Sequence, residues 1–222
     1  MLRLSAIVLL LVFVHIGAFA LTASALRIAI WEVSFGFGFR LAHFHVAGFP
    51  ITLRGIPLGG YLRVEEDPES DLVESPSGRP FATFHPIARA ALYASGCAAL
   101  FVLGGLILGW EPAARSLLRG FEQYVSGALS PLSVGRVHID SAARLLGSGS
   151  FGLCVGVVAT KFAAANLLPV PALNGWQILS TIALGRQPRP RWLEKAEPIA
   201  SLLPLVFLVG WSTAVVAASV GP

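Results

Sequence analysis

The chain predicts an α-helical polytopic membrane protein, with about four transmembrane helices and a small membrane-associated β-ribbon between the first and second. Three observations carry this. Of 222 residues, 55% are hydrophobic and only 13% charged. The mean hydropathy is +0.73, and the apolar residues gather in runs long enough to cross a bilayer. Between the first two runs the pattern changes to short strands bounded by Gly and Pro.

The first span is Leu4–Leu26, which carries His15, Thr22 and Ser24 and is flanked by Arg3 and Arg27. Its length favours a retained helix over a signal peptide, whose apolar core is about 7 to 15 residues, although Ala18 to Ala20 imitate a cleavage site. Residues 34–64 form the predicted ribbon. Ser34-Phe-Gly-Phe-Gly-Phe-Arg-Leu, Ala42-His-Phe-His-Val and Pro50-Ile-Thr-Leu-Arg are each bounded by Gly or Pro, and Gly59-Gly60 marks a bend or a close approach. Residues 65–80 hold six acids and one base, the composition of a solvated loop.

The second span is Ile87–Trp110, with Gly105-x-x-x-Gly109 and the small-residue cluster Ala94–Ala99 as close-packing faces. Glu111 to Gly149 contains an amphipathic piece around Leu117, Leu118, Phe121 and Val125, expected on the membrane surface. The third span is Ser150–Leu168, with Gly152-x-x-x-Gly156, and the fourth is Pro198–Val220. The third ends in Asn166-Leu-Leu-Pro-Val-Pro-Ala-Leu-Asn-Gly175, where the prolines break the helix at membrane depth and its backbone groups need internal partners. Cys97 and Cys154 lie inside apolar runs and read as packing residues, not as a disulfide framework.

The pI is near 9.6, but the cations are scattered around apolar runs without an aromatic-basic patch, which argues against nucleic acid. They fit the positive-inside rule instead. Arg27, Arg40, Arg54, Arg63, Arg79, Arg186, Arg189, Arg191 and Lys195, nine in all, fall on the ribbon side; Arg3, Arg115, Arg119, Arg136 and Arg144, five, fall on the other. The ribbon side is therefore expected to be cytoplasmic. Arginine outnumbers lysine fourteen to two, a ratio that points to a GC-rich bacterial genome, and the expected location is a bacterial cytoplasmic membrane.

The order of a His-bearing first span, Ser34-Phe-Gly-Phe-Gly38, Ile56-Pro-Leu-Gly-Gly-Tyr61 and Asn166-Leu-Leu-Pro-Val-Pro-Ala-Leu-Asn-Gly175 resembles the site-2 protease family of intramembrane zinc metalloproteases, over nearly the whole chain as a single domain, residues 1–222. The resemblance implies a zinc site between the first and third spans and a ribbon that receives an unwound substrate as an added strand. It also implies a groove or partner site at Gly36, Gly38, Pro57, Gly59, Gly60, Tyr61, Asn166, Pro169 and Pro171.

The family's chemistry does not carry over. Its first span holds His-Glu-x-x-His, two imidazoles on one helix face with a Glu that activates water. Here the spacing to the Ser34 motif aligns His15 with the first ligand, Ile16 with the Glu and Phe19 with the second ligand. The third ligand, the Asp of Leu-Asp-Gly, aligns with Asn174. A catalytic zinc needs about three protein ligands, so no cofactor is predicted, zinc being expected only if the family activity is retained. His43 and His45, two apart on one strand face, offer a chelating pair, but an exposed ribbon face is the favoured reading, and no Cys-His cluster has ligand spacing. Lys161, inside the third span, costs about 2.5 to 3.5 kcal/mol near a helix centre and needs a partner. The candidates are the vacated metal cavity, through Asn174 or the carbonyls near Pro169 and Pro171, or a local carbonyl.

The sequence thus predicts a catalytically inactive site-2 protease homologue that binds or regulates a transmembrane protein or peptide segment, in contact with membrane lipid. The alternatives are an active metallopeptidase with a non-standard site and, third, a structural or transport protein. A transporter is expected to show paired broken helices, and only one break is visible.

Overall fold

The structure is a computed structural model that describes residues 2–46, 48–65, 78–171, 173–185, 187, 190–200 and 202–220. Most of the acidic loop and both Arg186 and Arg189 lie outside the described residues. The order is α1 (Leu2–Ala25), β1 (Ile30–Val46), β2 (Phe49–Val64), α2 (Pro86–Leu108), α3 (Trp110–Leu129), α4 (Arg136–Ser148), α5 (Phe151–Asn166), α6 (Asn174–Leu184), α7 (Arg191–Ala200) and α8 (Leu203–Val220). A 3-10 turn, Phe81–Thr83, precedes α2, and a π-helical turn, Pro131–Gly135, precedes α4.

The helices Leu2–Ala25 and Pro86–Leu108, and the segment Pro198–Val220 that contains α8, are long and apolar enough to cross a membrane, and Phe151–Asn166 is a shorter apolar helix. The chain is an integral membrane protein. The third predicted span is therefore shorter than expected: its 16 residues reach about 24 Å, because the helix closes at Asn166, ahead of Pro169 and Pro171. The second also ends early, at Leu108, since Gly109 adopts φ 86° and Trp110 opens the next helix.

α1 closes in a Schellman arrangement, with Ile28 N donating to Ala23 O and Arg27 N to Ser24 O. Arg27 occupies the left-handed position at φ 57°, where glycine is the usual residue. The chain then enters the expected ribbon, an antiparallel sheet whose two strands are longer than the runs in the sequence suggested. Val33, Ser34 and Phe35 pair on both sides, with Leu62, Tyr61 and Gly60 on one and Ile51, Thr52 and Leu53 on the other. The two strands thus fold over on themselves. Gly36 makes that bend possible at φ 95°, since a Cβ there would come within 2.9 Å of the Arg54 and Ile56 carbonyls.

An ion-pair network locks the fold-over. Arg54 donates to Ser34 Oγ (2.9 Å), Gly38 O (2.9 Å), Glu32 Oε1 (3.0 Å) and Tyr61 Oη (2.8 Å), and Tyr61 donates to Glu32 Oε2 (3.0 Å). Burial pushes the Glu32 carboxyl up. Hydrogen bonds from Thr52, Arg54 and Tyr61, with the Arg54 charge, outweigh that and hold it below the ordinary carboxylate range.

The helices pack through small residues, some of which the sequence patterns marked and some of which they did not. Gly104 faces α5, where a Cβ would come within 2.4 Å of Thr160 Cγ2. Leu108 lies over Gly156, so α2 and α5 are antiparallel. Gly105 instead seats the Trp110 ring, Gly109 ends the helix, and Gly152 has no neighbour within 4 Å of where a Cβ would stand. Helix rotation decides which glycine of each pair meets a partner.

The amphipathic α3 does not lie apart on a surface. Ser116 Oγ and Thr160 Oγ1 are 2.7 Å apart, Gly120 meets Ala164, and Gly127 seats Trp211 of α8. α3 therefore runs parallel to α5, its buried stripe made of Ala113, Gly120, Gly127 and Ala128. Arg3 ties the start of α1 to the end of α4 through the Leu146 and Gly149 carbonyls, at 2.6 and 2.5 Å.

Candidate functional site

His15 sits in mid-helix on the buried face of α1 and is 6% exposed. The break after α5 brings the N-terminus of α6 back to it. Asn166 Nδ2 donates to Phe162 O at 2.9 Å, which satisfies a carbonyl at the helix end. Gly175 then fits against the break, where a Cβ would come within 2.1 Å of Leu167 O. This seats Asn174, the first residue of α6, with its side-chain amide nitrogen 3.2 Å from His15 Nε2 and 3.6 Å from Cys97 Sγ.

An amide N–H only donates, so Nε2 is the acceptor and the imidazole proton resides on Nδ1. That atom lies against the Gly96 backbone, near enough to feel its dipole yet without hydrogen-bond geometry. A Cβ on residue 96 would stand 2.6 Å from Nδ1. The Ala94–Ala99 cluster is thus a seat for the histidine.

The aligned zinc positions do converge in space. Phe19 meets the imidazole edge-on, with ring centroids 4.8 Å apart, and Phe162 lies 5.7 Å away on its other side. Ile16 turns toward the ribbon, its Cγ1 3.0 Å from where a Gly60 Cβ would stand. The donor set does not fit zinc. One imidazole is bonded through Nε2 to a neutral carboxamide, and hydrocarbon fills the positions of the other ligand and the base. Among the described residues no three of His, Cys, Asp and Glu gather as a metal-binding group.

Beside this core opens a cavity of about 910 Å³. Its walls are Gly60–Val64 of β2, Phe19 of α1, Arg89 and Leu92 of α2, and Asn174 and Gln177 of α6. Gly60–Val64 pairs with Ile30–Phe35 along one edge, and the described residues provide no strand for the other. Of the predicted groove residues, Gly60 and Tyr61 line this cavity. Gly36 and Gly38 shape the bend of β1, Gly59 lies under the Phe37 ring, Pro57 lies in β2, and Asn166, Pro169 and Pro171 form the break behind the wall.

Lys161 does not join the His15 cluster. Its Nζ donates to Ser116 O of α3 at 2.8 Å, a carbonyl supplied by another helix. His43 Nδ1 lies 3.0 Å from Thr52 Oγ1, and His45 stands edge-on to it at 5.4 Å. His85 caps α2 by accepting from Ile87 N.

Sequence reasoning missed Cys97 and Arg89. Cys97 read as packing alone. Arg89, in the first turn of the second span, was assigned no role, yet it lines the cavity with its guanidinium carbon 5.2 Å from the Phe81 ring centroid and its buried Nε unpartnered among the described residues. An arginine at the head of an apolar helix was the available signal for it.

The family model of peptidase family M50 matches residues 3–210. No curated protein matches the chain.

Proposed function

The chain belongs to peptidase family M50, the site-2 protease family, and from that premise we propose that it is a membrane pseudoprotease, one that holds a transmembrane segment without cutting it. The observation that carries this is the bond between His15 Nε2 and Asn174. The nitrogen that would ligate a metal is committed to an amide, Ile16 supplies no general base, and Phe19 supplies no second ligand. Among the described residues of this cluster the one general base is the His15 imidazole, and its Nε2 is taken up by Asn174.

The cavity supports the binding half of the reading. Gly60–Val64 offers backbone N–H and C=O groups along an edge without a strand partner among the described residues, and an extended segment adds to such an edge by main-chain hydrogen bonds. Phe19 and Leu92 offer apolar contact to its side chains, and Asn174 and Gln177 offer hydrogen bonds. The ribbon side is cytoplasmic in this reading, as the arrangement of cations suggests, and the membrane is the bacterial cytoplasmic one.

The test uses a defined transmembrane peptide with a Gly- and Pro-interrupted apolar core. A photo-cross-linking residue replaces Gln177, with a control at the lipid-facing Leu208. The reading expects cross-linking from position 177 well above that from 208, with the peptide intact. Cleavage abolished by His15→Ala would overturn the inactivity, and equal cross-linking at both positions would overturn the groove.

A further inference from the structure

A second cavity, of about 450 Å³, lies between α1, α3, α4, α5 and α8. It stands apart from the His15 cluster, and nothing in the proposed binding of a transmembrane segment uses it. Its walls are largely apolar, with Leu4, Leu145, Val157 and Val158 among them, and among the described residues Lys161 is the one Lys, Arg, Asp or Glu that lines it. Tyr124 and His138 add polar groups on the wall facing α5.

The wall is held in shape by Trp211. Its indole Nε1 donates to Tyr124 O at 3.2 Å, its ring sits on Gly127, where a Cβ would come within 2.5 Å, and the His138 ring lies 6.4 Å away. Apolar walls with a few fixed polar groups, at a volume within about 300 to 1,000 Å³, are the build of a small-ligand site.

Lys161 decides the chemistry of the ligand. It is the eleventh residue of α5, about 15 Å along the helix from its start. An ammonium at that depth in an apolar bundle is expensive without a counter-charge. It carries three donors, one of which goes to Ser116 O. Among the described residues the ion pairs are Arg54–Glu32 and Arg115–Glu111, so no carboxylate lies at ion-pair distance from Lys161; Glu122 and Arg119 act on it from farther off and in opposite senses.

We propose that this cavity binds a free fatty acid, its carboxylate on Lys161 and its single chain along the Leu145, Val157 and Val158 wall. The carboxylate head gives the Lys161 ammonium an ion-pair partner at contact distance, which no described residue supplies, and the volume suits one chain. The site gives the protein a way to sense, or be stabilised by, an amphiphile of the surrounding bilayer.

Trp211 makes the proposal measurable. Full-length protein in nanodiscs of zwitterionic lipid is titrated with a dibrominated octadecanoate, whose bromines quench nearby indoles, and the signal of Trp211→Phe is subtracted. The proposal expects saturable quenching of Trp211 by the acid. The uncharged methyl ester should bind at least tenfold more weakly, and Lys161→Met should weaken acid binding at least tenfold and abolish that preference. Lys161→Arg should retain most of it. Lys161→Met replaces a half-buried charge with an apolar chain of similar length, so loss of the fold is not the expected cause of an effect. Its unliganded melting temperature, at or above that of the parent, checks this. Equal quenching by acid and ester, or unchanged acid binding in Lys161→Met, would overturn the proposal. Displacement of the acid by a lower concentration of an anionic lysophospholipid would overturn the choice of ligand.

Discussion

Replacing Asn174 with Ala should destabilise the chain by about 1 to 3 kcal/mol, the cost of leaving a buried polar atom without a partner. The reason is local. His15 is 6% exposed, its Nδ1 has no hydrogen-bond partner among the described residues, and its Nε2 has Asn174 at 3.2 Å. Truncating the amide strands the whole imidazole. His15→Leu strands the Asn174 donor in turn, whereas the double variant His15→Leu/Asn174→Leu removes both ends of the bond together. The double variant should therefore cost less than the sum of the singles, with a coupling of about 0.5 to 3 kcal/mol. Thermal unfolding read by a thiol-reactive dye is suited to the purpose, because Cys97 and Cys154 are both buried and reduced. At about 2 to 4 °C per kcal/mol for a chain of this size, Asn174→Ala should melt about 2 to 12 °C lower. Each melt is run with and without a strong chelator, which should leave the parent unchanged. Strictly additive single-variant effects would refute the bond as the stabilising element. A chelator that brings the parent down to the Asn174→Ala melting temperature would show that His15 serves a metal.

Further outcomes follow from the same geometry. Gly104→Ala should cost about 1 to 3 kcal/mol by overpacking, and Thr160→Ser should rescue it in thermal melts, since serine lacks the Cγ2 that stands 2.4 Å from the added Cβ while keeping the hydroxyl that faces Ser116. Gly60→Ala should loosen the ribbon without rescue by Ile16→Ala, because the nearer obstacle is the Ser34 carbonyl at 2.2 Å; proteolysis at the ribbon checks this. Glu32 is held below its ordinary value, so its contribution is present above the unfolded carboxyl value of about 4.3 and is lost as pH falls through the folded one. Ribbon amide exchange, corrected for its intrinsic pH dependence, should therefore accelerate below that range in the parent, and Glu32→Gln should lack this acid-induced acceleration.

The helices that cross the membrane were legible from length and hydropathy, and the break at Asn166 from its prolines, because those signals are local. The aligned positions His15, Ile16, Phe19 and Asn174 were legible through motif spacing; Phe19 and Asn174 stand against His15, while Ile16 faces the ribbon. What was not legible depended on rotation or on distant chain. Gly104 and Gly105 are adjacent, and only the azimuth of α2 decides that Gly104 meets α5. α3 read as a surface helix because hydropathy gives small residues little weight, yet Ala113, Gly120 and Gly127 are what let α5 and α8 approach. Lys161 finds its acceptor on a backbone carbonyl of α3, a group every residue possesses and no side-chain pattern marks. The positive φ angles that Gly36 and Gly38 adopt at the bend of β1 also depend on the distant pairing of that strand.

The most direct test of the account is the zinc content of purified, full-length protein, measured by mass spectrometry beside the variant Ile16→Glu/Phe19→His/Asn174→Asp, which restores the family's donors on the same backbone. The account predicts zinc far below one equivalent per parent chain and a gain toward one equivalent in the triple variant. One equivalent in the parent, lost on His15→Ala, would contradict it.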